Sequence, residues 1–373
     1  MSYRVIQFLT HNFVYKVICQ RIPKLVNSRN LLSTDSVTMN SVKIENIEAR
    51  SGEKRTGYLS VGETAVASVQ LPVAVINGSK PGPTLCISGG VHGFEYSSII
   101  AVMRIIRETD PATLKGALVA VPVVNMFGFE ARGPQGGSST PFQCPIDAIN
   151  INRVMPGNPD GSMAYQIAAA FMGKVVSKAD FLVDCHGGDL NEELVPFVVT
   201  TPGNEGPHKV AKEILAPSFA TEYVIEEAVA GGTHGSALAL GKPAVIVEAG
   251  GYGRVIEEAV DLISDGIRNT MKRLEMLEGT PTTTKQIVRR GWWSVYVKRG
   301  GVCQSVPVGA RVKKGQQVAE VQNLFGEPIE TVESPVDGKV IFRRTPIAIS
   351  TNDRVLGIAP EEDLPPPKTR PYP

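Results

Sequence analysis

Residues 84–95 read TLCISGGVHGFE, and this stretch sets how the rest of the chain is to be folded. Residues 84–88 make a short apolar run of strand length that ends on Gly89-Gly90. From Glu95 to Arg107 the apolar residues Ile99, Met103 and Ile106 recur at helical spacing, and Asp110-Pro111 closes the segment. Strand, glycine turn and helix form the unit of a parallel layer, and the unit repeats downstream. Apolar runs at 116–124, 181–184, 196–200 and 244–247 read as buried strands. Segments 164–176, 210–216, 236–240 and 255–277 read as helices. The alternation predicts an α/β fold with a mixed, largely parallel sheet flanked by helices.

The flanks have a different character. Residues 41–75 alternate around Gly52, Gly57 and Gly62, the pattern of antiparallel strands, and NGSKPGP at 77–83 is a turn cluster. Residues 1–38 have no acidic residue before Asp35, while Arg4, Lys16, Arg21, Lys24 and Arg29 lie among apolar residues. They read either as a basic targeting leader or as an extension upstream of a start at Met39. The α/β domain is expected over 39–280, with GTPTTT (279–284) as linker. From 286 to 362 only short β-rich runs remain. GARVKKGQQVAEVQ (309–322) and ETVESPVDGKVIF (330–342) resemble the two halves of a lipoyl/biotinyl-type β-barrel. The tip between them, Asn323 to Pro328, has no lysine, so this region reads as a structural accessory barrel without a covalent cofactor. Residues 363–373 form a proline-rich tail.

The chain has 373 residues, with 38 Lys and Arg against 37 Asp and Glu, a net charge of +1. That balance argues against a nucleic-acid partner bound by charge, and no apolar run is long enough to span a membrane. The five cysteines (Cys19, Cys86, Cys144, Cys185, Cys303) are scattered, with no C-x-x-C pair. They read as small buried thiols in a reducing compartment, so a cytoplasmic protein is expected.

Only five histidines are present. His92 and Glu95 form an H-x-x-E at a strand-to-helix junction, where imidazole and carboxylate can converge on one divalent ion; a polar loop capping the helix would satisfy the same spacing. His186 follows the apolar run 181–184. Ligands of open α/β sheets gather at the carboxyl ends of strands, so His92, Glu95 and His186 can meet there. Two histidines and a carboxylate leave a fourth position open, the composition of a catalytic zinc site, one ion per chain. Asp184 alternates onto the side of His186 and reads either as its orienting partner or as a turn cap. Glu248 ends the run 244–247 before Ala249-Gly250-Gly251, at the same edge. Asn152 and Arg153 place an amide beside a guanidinium, suited to gripping a carboxylate, and Arg132 is a second cation. His234 is a candidate for an active-site loop, whereas His11 and His208 read as surface residues. Asp189, Glu192 and Glu193 read as a solvated acidic loop or as the partner of a cationic group on the substrate.

GGVHGFE (89–95), NINRVMPGN (150–158), DCHGGDLNEELVPF (184–197) and VIVEAGG (245–251), in this order, resemble the succinylglutamate desuccinylase/aspartoacylase family over about residues 42–278. The resemblance implies a zinc-carboxypeptidase-like fold with His92, Glu95 and His186 as zinc ligands. It also implies Glu248 as general base and then acid, Arg132 polarising the scissile carbonyl, and Asn152 with Arg153 holding the substrate carboxylate. The chain departs from the family pattern at Ile151 and Met155, and GPQGGSSTPFQCP lengthens the stretch between Arg132 and Asn152.

The expected activity is zinc-dependent hydrolysis of the amide of an N-acylated amino acid or related small molecule. A zinc carboxypeptidase acting on peptides uses the same parts, and a non-catalytic binding module of the same fold is the alternative outside enzymes. The sequence leaves a homo-oligomer open.

Overall fold

In the computed structural model the described residues are 41–131 and 142–364. The leader reading, Arg132, most of the GPQGGSSTPFQCP stretch and the tail beyond Leu364 lie outside them.

A nine-stranded sheet organises the molecule. From edge to edge its strands are Ile287–Arg289, Tyr223–Glu226, Phe197–Thr200, Ala244–Glu248, Phe181–His186, Lys80–Ser88, Lys115–Val121, Ser68–Asn77 and Glu53–Glu63. Ala244–Glu248, Phe181–His186, Lys80–Ser88 and Lys115–Val121 run parallel to one another. Phe197–Thr200 lies antiparallel to Ala244–Glu248, and the last two strands are also antiparallel. The mixed, largely parallel sheet is therefore present. Its central strands are buried on both faces, which is why they read as continuous apolar runs rather than alternating ones.

Each face has its own apolar core. One packs Ile167, Phe171 and Val175 of the 163–178 helical segment against Cys86, Val119 and Leu182. The other packs Val102 and Ile105 of the helix Tyr96–Glu108, with Val260, Ile263 and Ile267 of the helix Glu257–Arg273, on Ile87, Val183 and Val245. The helical reading of 95–107 holds, but its buried face does not follow the expected spacing. Met103 is 50% exposed, while Ser97, Ser98, Ala101, Val102 and Ile105 are buried beside Ile99. Small residues let the helix lie close to its neighbours, a signal that counting large side chains does not see.

The turn expected over 77–83 is also shorter than read. Only Gly78 and Ser79 are outside strands, and Pro81-Gly82-Pro83 extends along Lys115 with a bulge between Lys80 and Thr84. The first residues form the antiparallel strands expected, with Ser41–Ile44 paired to Ile47–Arg50 ahead of the Glu53–Glu63 and Ser68–Asn77 pair.

Two further sheets follow the central one. The first orders Glu192–Leu194, Gly338–Arg344, Arg354–Pro360 and Trp293–Tyr296, with Arg311–Val312 paired to Gly338–Arg344. The second orders Pro328–Glu333, Gln317–Gln322, Gly301–Ser305 and Ala348–Ile349. Val297, Val318, Val321, Val340 and Leu356 belong to a core between them. This region is tied to the central sheet in three ways. Ile287–Arg289 pairs with Tyr223–Glu226, Glu192–Leu194 pairs with Gly338–Arg344, and Ile341, Phe342 and Ala359 pack on Phe197, Tyr223 and Ile246. The stretch after His186 thus contains a strand of the C-terminal sheet, and the expected solvated acidic loop is corrected: Asp189 is fully buried and Glu192 and Glu193 are in that strand.

Candidate active site

Register brings the chemistry-bearing residues to one edge. Glu248 lies opposite His186 across parallel strands, and Ser88 lies opposite Asp184 on the other side. His92 and Glu95 occupy the turn that leaves Ser88 for the helix Tyr96–Glu108, so three adjacent strand ends converge. The strand expected over 181–184 continues through His186, making this histidine the strand's last residue.

His92 Nδ1 lies 2.7 Å from Glu95 Oε1, and His186 Nδ1 lies 3.0 Å from Glu95 Oε2. The far nitrogens have partners of their own. His186 Nε2 donates to Asp184 Oδ2 at 2.9 Å, and Ser88 Oγ donates to Asp184 Oδ1 at 2.7 Å. His92 Nε2 is 3.3 Å from Asn150 Oδ1, an oxygen that also accepts from the Asn152 N–H at 2.8 Å. An acceptor at each Nε2 holds the ring proton there and turns the Nδ1 lone pair inward. Two lone pairs and a carboxylate then face one another, with donor atoms within 4.8 Å. Such a set fits a divalent cation. Its fit is supported by Glu95 Oε2, which is buried and makes no hydrogen bond of acceptable geometry among the described residues.

The electrostatics follow from burial. Burial alone would raise the Glu95 carboxyl, but the His92 and His186 imidazoles outweigh it and hold the group at about 2. Burial would lower His186, yet the Asp184 and Glu95 carboxylates raise it well above the usual imidazole range. Without a cation Nδ1 therefore also carries a proton, and the lone pair is turned inward once an ion displaces that proton. Glu248 is half-buried, and burial lifts its carboxyl well above the ordinary value against the pull of His186. Asp189 is raised to about 8, first by burial and then by the Glu95 charge.

The remaining expected residues divide. Asn152 is buried, and its Oδ1 accepts from Thr233 N at 2.8 Å and Thr233 Oγ1 at 2.9 Å, which leaves the amide NH2 end for any ligand. Arg153 is exposed and donates to Asn152 O at 2.7 Å. His234 is not on a loop: it sits in the first turn of the helix Thr233–Ala239, fully buried, with Nε2 3.1 Å from Glu227 O, and burial lowers its pKa. His208 is half-buried on the short helix Gly206–Val210, and His11 lies outside the described residues. Cys86, Cys144, Cys185 and Cys303 are free, buried thiols. Glu193 is held by Arg343 at 2.5 Å.

Sequence reasoning missed Asn150 as a partner of His92, although NINR stood in a quoted motif. The signal available was an asparagine two residues before Asn152, where a side chain can accept its neighbour's N–H. It also missed that the stretch after His186 joins the C-terminal sheet, through Glu192–Leu194 paired with Gly338–Arg344. Gly188 shows how tightly that part is joined. A Cβ there would lie 2.6 Å from the Glu192 carbonyl oxygen, so only glycine lets the strand Glu192–Leu194 approach the turn after His186.

The chain is 28% identical over 312 residues to an N-alpha-acetyl-L-2,4-diaminobutyric acid deacetylase from Halomonas elongata, covering 81% of this chain and 89% of that protein. A product-bound structure of the ectoine utilization protein EutE (DoeB) from Ruegeria pomeroyi superposes with a TM-score of 0.74 at 26% identity, over 85% of this chain and 97% of that one. A succinylglutamate desuccinylase/aspartoacylase structure from Rhodobacter sphaeroides shares the fold, with a TM-score of 0.72 at 24% identity over 82% and 95% of the two chains. No helix among the described residues is long and apolar enough to cross a membrane. Residues 81–274, more than half of the sequence, match the Succinylglutamate desuccinylase/Aspartoacylase catalytic domain, and the chain belongs to that family.

Proposed function

We propose that this chain is a zinc-dependent deacylase that hydrolyses the amide of an Nα-acylated amino acid. The observation that carries the reading is the convergence of both Nδ1 atoms on Glu95, each ring oriented from its Nε2, with Glu248 in register beside His186. His92 Nδ1, Glu95 and His186 Nδ1 would hold the ion. When bound, zinc supplies Lewis acidity toward the scissile carbonyl and makes water a nucleophile near neutral pH.

Glu248 accepts the proton of the attacking water at its carboxylate and returns it to the amine nitrogen as the C–N bond breaks. A carboxyl held high by burial suits the return step, because it retains the proton until the amine takes it. Asp184 and Asn150 fix the two rings. The Asn152 amide and Arg153 hold the substrate carboxylate, and Arg132 polarises the scissile carbonyl.

The relative from Halomonas elongata is named for a substrate with a free side-chain amine. Of the three acids after His186, Glu193 is held by Arg343 and Asp189 is wholly buried. Glu192 is left: its Oε1 makes no hydrogen bond among the described residues, its pairing with Arg354 Nη2 is loose at 3.5 Å, and it is the group for a substrate ammonium. The favoured substrate class is therefore an Nα-acetylated diamino acid.

The test is zinc content by metal mass spectrometry, together with amine release from a panel of N-acyl amino acids with acidic, neutral and basic side chains. One zinc per chain and fastest turnover of the basic members are expected. A metal-free active protein would end the zinc reading, and preference for acidic members would end the diamino-acid reading.

A further inference from the structure

We infer that Arg354, carried by the C-terminal sheet, is a specificity-determining residue that binds the substrate carboxylate beside Arg153. The inference rests on the deacylase reading and deepens it: the substrate site is completed from beyond the family's catalytic domain.

Arg354 opens the strand Arg354–Pro360, more than a hundred residues after Glu248. Its guanidinium lies over the Phe342 ring, 4.4 Å from the centroid, which fixes the plane of the fork. Phe342 is itself packed on Trp292 and buried. The nearest counter-charge, Glu192 Oε1, is 3.5 Å from Arg354 Nη2, too long for a strong hydrogen bond. Neither Glu192 Oε1 nor Arg354 Nε has a hydrogen-bond partner among the described residues. A stacked guanidinium beside a loose counter-ion keeps donors for something else.

Its place points to the same site. Glu192 acts on the Glu248 carboxyl by its charge, and the Glu192 backbone oxygen accepts from Tyr252 N at 3.0 Å, just past the turn that follows Glu248. On the other side, Arg354 and Arg153 are the two cations that act on Glu227. The same Glu192 backbone oxygen lies 2.6 and 2.5 Å from where a Cβ would stand on Gly188 and Gly251, so the residue that faces Arg354 is packed against both turns that leave His186 and Glu248. The anchor at Asn152 and Arg153 is incomplete alone, since the Asn152 oxygen is committed to Thr233 and Arg153 donates to its neighbour's carbonyl. A second planar fork supplies the paired donors a carboxylate takes, where a lysine would offer a point charge.

The experiment compares Nα-acetyl-L-2,4-diaminobutyrate with its C-terminal amide in wild type, Arg354→Gln and Arg354→Lys. Zinc content is measured in each, and titration calorimetry follows binding of the free diaminobutyrate product. Arg354→Gln should raise KM for the acid and Kd for the product about 10-fold or more, as loss of charged hydrogen bonds implies. KM for the amide and kcat for the acid should stay within a few-fold, and zinc should be retained. Arg354→Lys should fall between. Equal penalties on acid and amide, or wild-type product binding in either variant, would overturn the assignment. If Arg354→Gln fails to fold, Arg354→Lys with wild-type KM for both substrates does the same. A wild type that binds the product but hydrolyses neither amide refutes the deacylase reading and leaves the carboxylate assignment to be decided by the calorimetry alone.

Discussion

The edge around His186 and the junction around Arg343 and Arg354 are both polar, yet they are built in opposite ways. At the edge, neighbours in space are near neighbours in sequence or lie on adjacent parallel strands. His92 and Glu95 are one turn apart, Asp184 and His186 alternate on one strand, and Glu248 is in register with His186. At the junction, partners lie some 150 residues apart in the chain, Glu193 with Arg343 and Glu192 with Arg354. The edge is over-determined, because each ring nitrogen has a defined partner. The junction is apolar first, through Phe197, Tyr223, Phe342 and Trp292, with its charges set around that packing. Changes at the edge should therefore abolish chemistry, while changes at the junction should tune binding and stability.

The sharpest way to break this contrast is to cut the edge at two points. On the zinc reading, His186→Ala removes a proposed ligand and leaves the Glu95 and Asp184 carboxylates without the imidazole between them, so both zinc and measurable turnover should disappear. Glu248→Gln keeps the shape and should keep the zinc, while kcat falls by on the order of 10²–10⁴. Zinc analysis and steady-state kinetics on the two variants separate the roles. Stoichiometric zinc in His186→Ala, or metal loss in Glu248→Gln, would exchange the assignments.

Asp189 lies between the two regions and should show itself through pH. Its carboxyl is raised to about 8 by burial and by the Glu95 charge, against 3.8 in the free side chain. Between those values the folded protein keeps a proton that the unfolded chain has released. Stability from this group therefore falls as pH rises through that window and is lowest above it, by up to about 1.4 kcal/mol per pH unit. Asp189→Asn should remove the slope: near wild type in the metal-free protein at pH 4, more stable by a few kcal/mol at pH 9. Urea melts at a series of pH values would show diverging curves. Parallel curves would mean the carboxyl is ionised in the fold.

Much of the edge was legible in the sequence because strand ends and glycine turns carry local signals. The runs ending at Ser88, Asp184 and Val247 located it, and alternation put Asp184 beside His186. What escaped depends on contacts between distant elements. Nothing local to Glu192 says that it pairs with Gly338–Arg344, and an acidic run reads as solvated until its partners are known. The helix Tyr96–Glu108 was legible as a helix, but its buried face uses serine and alanine for close approach, so Met103 was read inward and points outward. His234 was read as an active-site-loop candidate with the helix starting at Ser236, while the helix in fact begins at Thr233.

The junction can be probed without touching a charged group, through Gly357. A Cβ at this position would lie 1.9 Å from Phe342 Cε1 and 2.3 Å from Cδ1, so Gly357→Ala forces the ring to shift. The ring is buried and packs edge-on against Trp292 at 5.7 Å, so the shift spreads into the apolar cluster on the central sheet. Overpacking of this kind costs about 1–3 kcal/mol. The same ring is the platform for Arg354, so displacing it also releases the guanidinium from its plane. The expected result is an unfolding free energy from urea melts lowered by that amount, full zinc content, and a KM that rises for the carboxylate substrate while kcat stays close to wild type. Zinc loss in Gly357→Ala would show that edge and junction are one coupled unit. A wild-type midpoint and KM would show that the Phe342 ring yields at no cost and that the junction does not reach the substrate.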